Sequence, residues 1–127
     1  MAITWIVTAD SARARVLQFA DREHELVEVD DLLNPEGRLH ERDVANDAER
    51  QVELFSKRVG DYLEKARTQH RYDKLYLVAP PKFLGKLRKN LGREVEKLVT
   101  DQLDKDLYRA NARELEAYFV KGSGRAP

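Results

Sequence analysis

A short apolar run that passes through two prolines into a helical pattern constrains this chain more than any other segment. The residues from Leu75 to Ala79 are apolar without interruption, which is typical of a strand covered on both faces. After Pro80 and Pro81, apolar residues recur at helical spacing, at Phe83, Leu84, Leu87 and Leu91. The apolar period therefore changes at the prolines, and the segment predicts a buried strand followed by an amphipathic helix.

The first thirty residues predict an antiparallel meander. Residues 3–8 form an apolar strand, and a turn at Ala9-Asp10-Ser11 leads into residues 12–19, where small apolar residues alternate with Arg13 and Arg15. Residues 25–29 alternate again, with acidic side chains between apolar ones. The pattern favours three strands joined by short connections.

The remaining segments alternate between helix and strand. Asn46 or Asp47 is predicted to cap a long helix with one apolar stripe, and the helix after Pro81 precedes an edge strand over residues 100–107. A short C-terminal helix then contains Leu115, Tyr118 and Phe119. This order predicts an α/β, ribonuclease-H-like three-layer fold, in which a mixed five-stranded sheet combines an antiparallel meander with parallel strands between flanking helices.

Length and composition indicate a single globular domain. We expect residues 1–120 to form it and residues 121–127 to be a flexible tail. The absence of cysteine excludes disulfides, thiolate nucleophiles and cysteine-bound metals. The first residues lack a basic leader, and no apolar stretch approaches the ~20 residues of a membrane span, so we expect a cytoplasmic protein without membrane insertion.

Charge is balanced overall but unevenly distributed. Residues 21–49 hold eleven acidic and three basic side chains, whereas residues 82–93 hold five basic side chains and no acidic one. A zero net charge does not fit a dedicated nucleic-acid-binding domain. The asymmetry would instead orient a partner or a second subunit.

Two separated stretches of the chain carry a family resemblance. They are residues 4–15, Thr-Trp-Ile-Val-Thr-Ala-Asp-Ser-Ala-Arg-Ala-Arg, and residues 77–88, Leu-Val-Ala-Pro-Pro-Lys-Phe-Leu-Gly-Lys-Leu-Arg. Together they resemble the bacterial host-attachment protein family. The tetrad Asp104-Lys105-Asp106-Leu107 extends the resemblance, which covers nearly the whole chain. It implies a role in attachment of bacteria to host cells, and a fold like the central domain of archaeo-eukaryotic peptide-chain release factors.

The catalytic loop of that release-factor domain is not matched here. Its Gly-Gly-Gln motif precedes a long helix, and the corresponding residues 35–42 of this chain contain only Gly37. Peptidyl-tRNA hydrolysis is therefore not implied by the resemblance.

The helix after Pro81 carries the candidate basic surface. An anion would favour a helix N-terminus after a parallel strand, but Pro80 and Pro81 supply no N–H donor there. The sequence therefore favours a solvated helix face over an RNA-binding surface, and leaves both open. Its basic residues are Lys82, Lys86, Arg88, Lys89 and Arg93.

Asp10, Arg13 and Arg15 are candidate ligand or partner contacts. Asp10 ends the first strand, where it would either cap the turn or bind a divalent metal with some of Glu49, Glu53, Asp73 and Asp106. We favour the turn cap because acidic residues are abundant in this chain. Arg13 and Arg15 would pair with acids of the third strand, Glu25 and Glu28, or bind a ligand carboxylate.

The sequence predicts a non-enzymatic interaction protein with an unidentified protein partner. It contains no complete catalytic or metal-binding constellation and suggests no cofactor. The alternative is an RNA- or ribosome-associated protein, and a metal-dependent hydrolase centred on Asp10 is a third hypothesis. Homo-oligomers are compatible with the sequence, and an exposed Trp5 or Tyr118 would indicate a subunit interface.

Overall fold

The computed structural model describes residues 3–20, 25–34 and 45–118. Its strands are β1 (Thr4–Ala9), β2 (Arg13–Ala20), β3 (Glu25–Leu33), β4 (Lys74–Val78) and β5 (Val99–Leu103). Its helices are α1 (Ala45–Thr68), α2 (Pro81–Lys89), α3 (Arg93–Leu98) and α4 (Ala112–Glu116). None of the helices in these ranges is long and apolar enough to cross a membrane.

The strands form one mixed sheet in the order β3-β2-β1-β4-β5. The first three strands pair antiparallel, whereas β4 pairs parallel to β1 and β5 pairs parallel to β4. The predicted fold class, a mixed five-stranded α/β sheet with flanking helices, is confirmed.

Both faces of the sheet are covered, because alternate residues of the central strands enter different cores. Trp5 and Val7 of β1 belong to a large core beneath α1, α2 and α3, to which Phe55 and Leu87 also contribute. Ile6 lies on the opposite face, in a small core that contains Leu115 of α4. Continuous apolar runs such as β4 therefore reflect burial on two sides.

Several predicted boundaries were wrong. The edge strand ends at Leu103 and not at residue 107, because its neighbour β4 stops at Val78 before the prolines. A hydrogen bond from the Ala79 amide to the Leu103 carbonyl, 3.1 Å long, closes the pairing. The α1 helix begins at Ala45, so Asn46 and Asp47 occupy positions inside it and not the predicted N-cap position.

The aromatic residues divide between core and surface. Trp5, predicted as core, is buried and stacks on Tyr72 and Tyr62, with ring centroids 4.9 and 6.2 Å away. Tyr62 donates a 2.7 Å hydrogen bond to Asp30, and burial together with this carboxylate raises the pKa of Tyr62 to about 12. Tyr118 is 42% exposed and lies two residues beyond the end of α4. Phe119 and the predicted tail at 121–127 lie outside the described residues.

The α1 helix ends in a Schellman motif at His70. The His70 amide donates to the Arg67 carbonyl and the Arg71 amide donates to the Ala66 carbonyl, each over 2.9 Å. His70 has a φ of 59°, the left-handed conformation that only glycine adopts without cost.

Replacing His70 with glycine is expected to stabilise the protein by about 0.5–1 kcal/mol, the relief of left-handed strain less the greater flexibility of the unfolded chain. Urea denaturation of wild type and variant measures the change. Gln69→Gly is the matched control, because Gln69 does not have a positive φ and should only lose stability. A His70→Gly protein less stable than wild type would contradict this account of the motif.

Candidate functional site

The carboxyl ends of the three parallel strands meet at one edge of the sheet and form a cleft. Its volume is about 410 Å³. Ligands of open α/β sheets bind outside the carboxyl ends of their strands, which makes this edge the first place to look for a site. The cleft is lined by Asp10, Ser11, Glu49, Val52, Pro80, Lys82, Phe83, Lys86 and Asp106.

The change from β4 to α2 builds one wall of the cleft. Pro80 is the N-cap residue of α2, and its carbonyl accepts a 2.8 Å hydrogen bond from the Leu84 amide. Lys82 and Lys86 lie one turn apart on this helix and both reach the cleft. Phe83 points into the core and is only 4% exposed. The wall therefore combines two ammonium groups with an apolar base of Val52, Pro80 and Phe83.

Asp10 closes the hairpin turn between β1 and β2, as the turn-cap interpretation expected. One of its carboxylate oxygens, Oδ1, accepts hydrogen bonds from the amides of Ala12 and Arg13, at 2.8 and 3.0 Å. This is an Asx turn, which fixes the carboxylate at the rim of the cleft.

The acids proposed as metal partners of Asp10 separate into three groups. Glu49 and Asp106 join Asp10 in the cleft lining, whereas Glu53 lies 3.4 Å from the Lys86 ammonium. Asp73 lies at the opposite end of the sheet and accepts a 2.7 Å hydrogen bond from the Ile3 amide. Over residues 3–20, 25–34 and 45–118, no group of three or more acids or histidines is arranged to hold a metal ion.

The basic residues of the helix face lie in different electrostatic environments. Lys82, Lys89 and Arg93 are exposed. Arg88 is held by Gln102 at 2.5 Å and by Glu96 at 3.1 Å. A hydrogen bond from Asn90, together with the Lys86 ammonium, holds the pKa of the Glu53 carboxyl below its usual range, so Glu53 stays ionised beside Lys86.

Arg13 and Arg15 pair with acids of β3. Arg13 contacts Asp31 at 2.8 Å and Arg15 contacts Glu28 at 3.2 Å, so one partner agrees with the sequence prediction and Asp31 replaces Glu25 as the other. The hydrogen bonds to Asp31 raise the pKa of the Arg13 guanidinium above its ordinary value.

The same arginines hold the segment that follows β5 against the sheet. Arg13 donates to the Tyr108 hydroxyl and lies over its ring, at 5.0 Å from the centroid. Arg15 donates to the carbonyls of Tyr108 and Ala110, each at 2.7 Å. These contacts join residues more than ninety positions apart, so no local sequence pattern predicts them.

Sequence reasoning did not identify Ser11, Val52, Pro80 and Phe83 as lining one cleft. Pro80 and Asp106 could have been assigned to one site from the rule that the carboxyl ends of neighbouring parallel strands lie at the same edge of a sheet. Val52 required knowledge of where α1 crosses the sheet, which depends on tertiary packing.

Comparisons with solved structures support the fold. An archaeal protein superposes with a TM-score of 0.53 at 13% identity, covering 96% of this chain and 41% of its own. The Ppx/GppA phosphatase of Aquifex aeolicus superposes with a TM-score of 0.51 at 10% identity, covering 81% of this chain and 35% of its own. This chain thus spans less than half the length of either structure, and the low identities establish a shared fold alone.

Comparison with protein families gives a more specific result. No curated protein sequence matches the chain. The sequence profile of one family, described as "Protein required for attachment to host cells", matches residues 5–54 and 48–119. These matches include β1 from Trp5 onward, the whole of α2 and every residue that lines the cleft. The chain belongs to the family of proteins required for attachment to host cells.

Proposed function

We propose that this protein serves attachment to host cells as a non-enzymatic interaction module, and that the cleft is where it binds its protein partner. Family membership supports the role in attachment. The cleft supports a binding mode, because it combines an apolar base with charged groups of both signs at the carboxyl edge of the sheet.

The arrangement of the charged groups favours binding over catalysis. Asp10, the best-placed carboxylate, already holds two backbone amides of its own turn. Lys86 is paired with Glu53 at 3.4 Å, so its ammonium already has an acidic partner. Side chains held in this way act as fixed recognition groups. The observation that carries the proposal is the cleft itself, with its walls built from α1, α2 and the ends of three strands.

RNA or ribosome binding is a second candidate, favoured by the exposure of Lys82, Lys89 and Arg93. These side chains would contact phosphates, and binding would weaken steeply with salt. The pairing of Lys86 with Glu53 and of Arg88 with Glu96 leaves a narrower basic surface than the sequence suggests. RNA affinity that falls in a Lys89→Glu and Arg93→Glu double variant would favour this candidate over the cleft, which neither residue lines.

Blocking the cleft tests the leading proposal. Ser11 is exposed and lines the cleft, so Ser11→Trp adds bulk there without emptying the core. Cells of the source organism that carry this variant in place of the natural gene are expected to lose most of their attachment to host cells. The measurement is the number of attached cells at equal cellular amounts of each protein.

Gln69→Trp is the matched control for added aromatic bulk. Gln69 is exposed beyond the C-terminus of α1, at the end of the sheet away from the cleft. Cells that carry Gln69→Trp should therefore attach as wild-type cells do. Normal attachment by cells with a folded Ser11→Trp protein would contradict the proposal.

A further inference from the structure

We propose that the cleft recognises a lysine or arginine side chain on its protein partner. This inference rests on the proposed function, since it names the chemistry of the partner of the same site.

Negative charge dominates the lining once existing ion pairs are taken into account. Asp10, Glu49 and Asp106 bring three carboxylates, and no cationic side chain pairs with any of them among the described residues. Of the two lysines, Lys86 is already within 3.4 Å of Glu53, which lies outside the lining. Among the described residues of the lining, Lys82 therefore carries the one ammonium without an acidic partner, so three carboxylates outweigh it.

The N-terminus of α2 does not reverse this balance. A helix N-terminus carries a partial charge of roughly +0.5, delivered through its free amide groups. The first helical position is Pro81 and the N-cap is Pro80, so two of the positions that would donate to an anion carry no N–H. A phosphate or carboxylate entering the cleft would meet three like charges and few donors.

The apolar base explains why the ligand is an organic cation. Val52 and Pro80, half-buried beside the buried Phe83, supply a surface on which an alkyl chain can pack while its charged end reaches the carboxylates. Lysine and arginine have this division between a long apolar stem and a charged head. A bare metal ion would gain nothing from such a base and requires converging oxygens, an arrangement that the described residues do not provide.

Peptide titration of the ¹⁵N-labelled protein tests the inference. The probe is a blocked pentapeptide, acetyl-Gly-Ala-Xaa-Ala-Gly-amide, with arginine, lysine or glutamate at the centre. The basic peptides are expected to shift the amide resonances of Ser11, Lys82 and Asp106 in a saturable manner, and less strongly at high salt. Equal or tighter binding of the glutamate peptide would overturn the inference. Spermidine is the comparison for a free polyamine. If spermidine binds more tightly than the basic peptides, the assignment of a protein side chain as the ligand is wrong.

Variants that change the charge of the cleft should raise or lower its affinity for the arginine peptide according to the sign of the change. Asp106→Asn and Glu49→Gln should each lower the affinity for the arginine peptide about two- to fivefold, the range for a partly exposed ion pair. Lys82→Glu should raise the affinity for the arginine peptide by a similar factor, whereas at an anion-binding site the same change would lower the affinity for the anion. Asp104→Asn is the matched control, because Asp104 is exposed near Asp106 but does not line the cleft. Unchanged binding in the Asp106 and Glu49 variants would overturn the inference.

The two proposals fail in different ways. If Ser11→Trp abolishes attachment but the basic peptides do not bind, the cleft is a partner site and the partner's chemistry is wrongly assigned. If the basic peptides bind at the cleft but Ser11→Trp cells attach normally, the assigned chemistry is right and the proposed function is wrong.

Discussion

Replacing Trp5 with alanine is expected to lower the free energy of unfolding by about 3–5 kcal/mol. Trp5 is 1% exposed and stacks on Tyr62 and Tyr72 in the large core. Its removal takes away the largest buried side chain of β1, leaves a cavity beside the rings it stacks on, and ends the 2.8 Å hydrogen bond from its Nε1 to Gln18 Oε1. For a protein whose total stability is about 5–15 kcal/mol, this is a large fraction.

The measurement is urea denaturation followed by circular dichroism, because Trp5 is the single tryptophan and its fluorescence disappears with it. Gln18→Leu is the control that keeps the ring and removes the hydrogen-bond acceptor, at an expected cost of about 1–2 kcal/mol. The cost of Trp5→Ala beyond that of Gln18→Leu is assigned mainly to the lost packing of the ring. If Trp5→Ala costs no more than Gln18→Leu, the stacked aromatic group contributes little, and the packing explanation is wrong.

Substituting alanine for Gly60 is expected to destabilise the protein by about 1–2 kcal/mol, although alanine is the better helix former by about 1 kcal/mol. A Cβ at Gly60 of α1 would lie 2.6 Å from the backbone carbonyl oxygen of Asn90, a distance that requires one of the helices to move. Asn90 is held by hydrogen bonds from its side-chain amide to Ser56 Oγ and the Lys86 carbonyl, at 2.8 and 3.0 Å. The clash therefore outweighs the helix propensity.

Gly85→Ala is the matched substitution with the opposite expected sign. Gly85 lies in α2, is exposed, and has open space where a Cβ would stand. Because no clash opposes the higher helix propensity of alanine, the free energy of unfolding should rise by about 0.5–1 kcal/mol. Urea denaturation of both variants decides the question. A Gly60→Ala protein as stable as Gly85→Ala would mean that α1 and α2 adjust their packing without cost.

The expected cation preference reverses the emphasis that the sequence gives to the basic helix. Read along the chain, residues 82–93 contain five basic side chains and no acidic one. In the folded protein, Glu53 of α1 and Glu96 of α3 lie beside two of them, and Lys82 lines the same cleft as three carboxylates. Local charge density is thus a poor guide when other elements supply the counterions.

The fold itself was largely predictable because its main signals are local. The apolar runs at β1 and β4, the alternation in β2 and the change of period at Pro80-Pro81 each report burial within a few residues. The turn-cap role of Asp10 was also predictable, since its partners are the amides of Ala12 and Arg13. The end of β5 was not, because a strand stops where its neighbour stops pairing.

By itself, the sequence determined the α/β class, the meander, the crossover at Pro80-Pro81 and the family resemblance, because periodicity and short motifs record how each segment is buried. Only the tertiary structure decided that Asp10, Glu49 and Asp106 share a cleft with Lys82, and that Lys86 is paired with Glu53. Those relationships depend on strand order and on where α1 crosses the sheet. Electrostatic selectivity arises from charges brought together across the fold, and therefore cannot be read from neighbours in the chain.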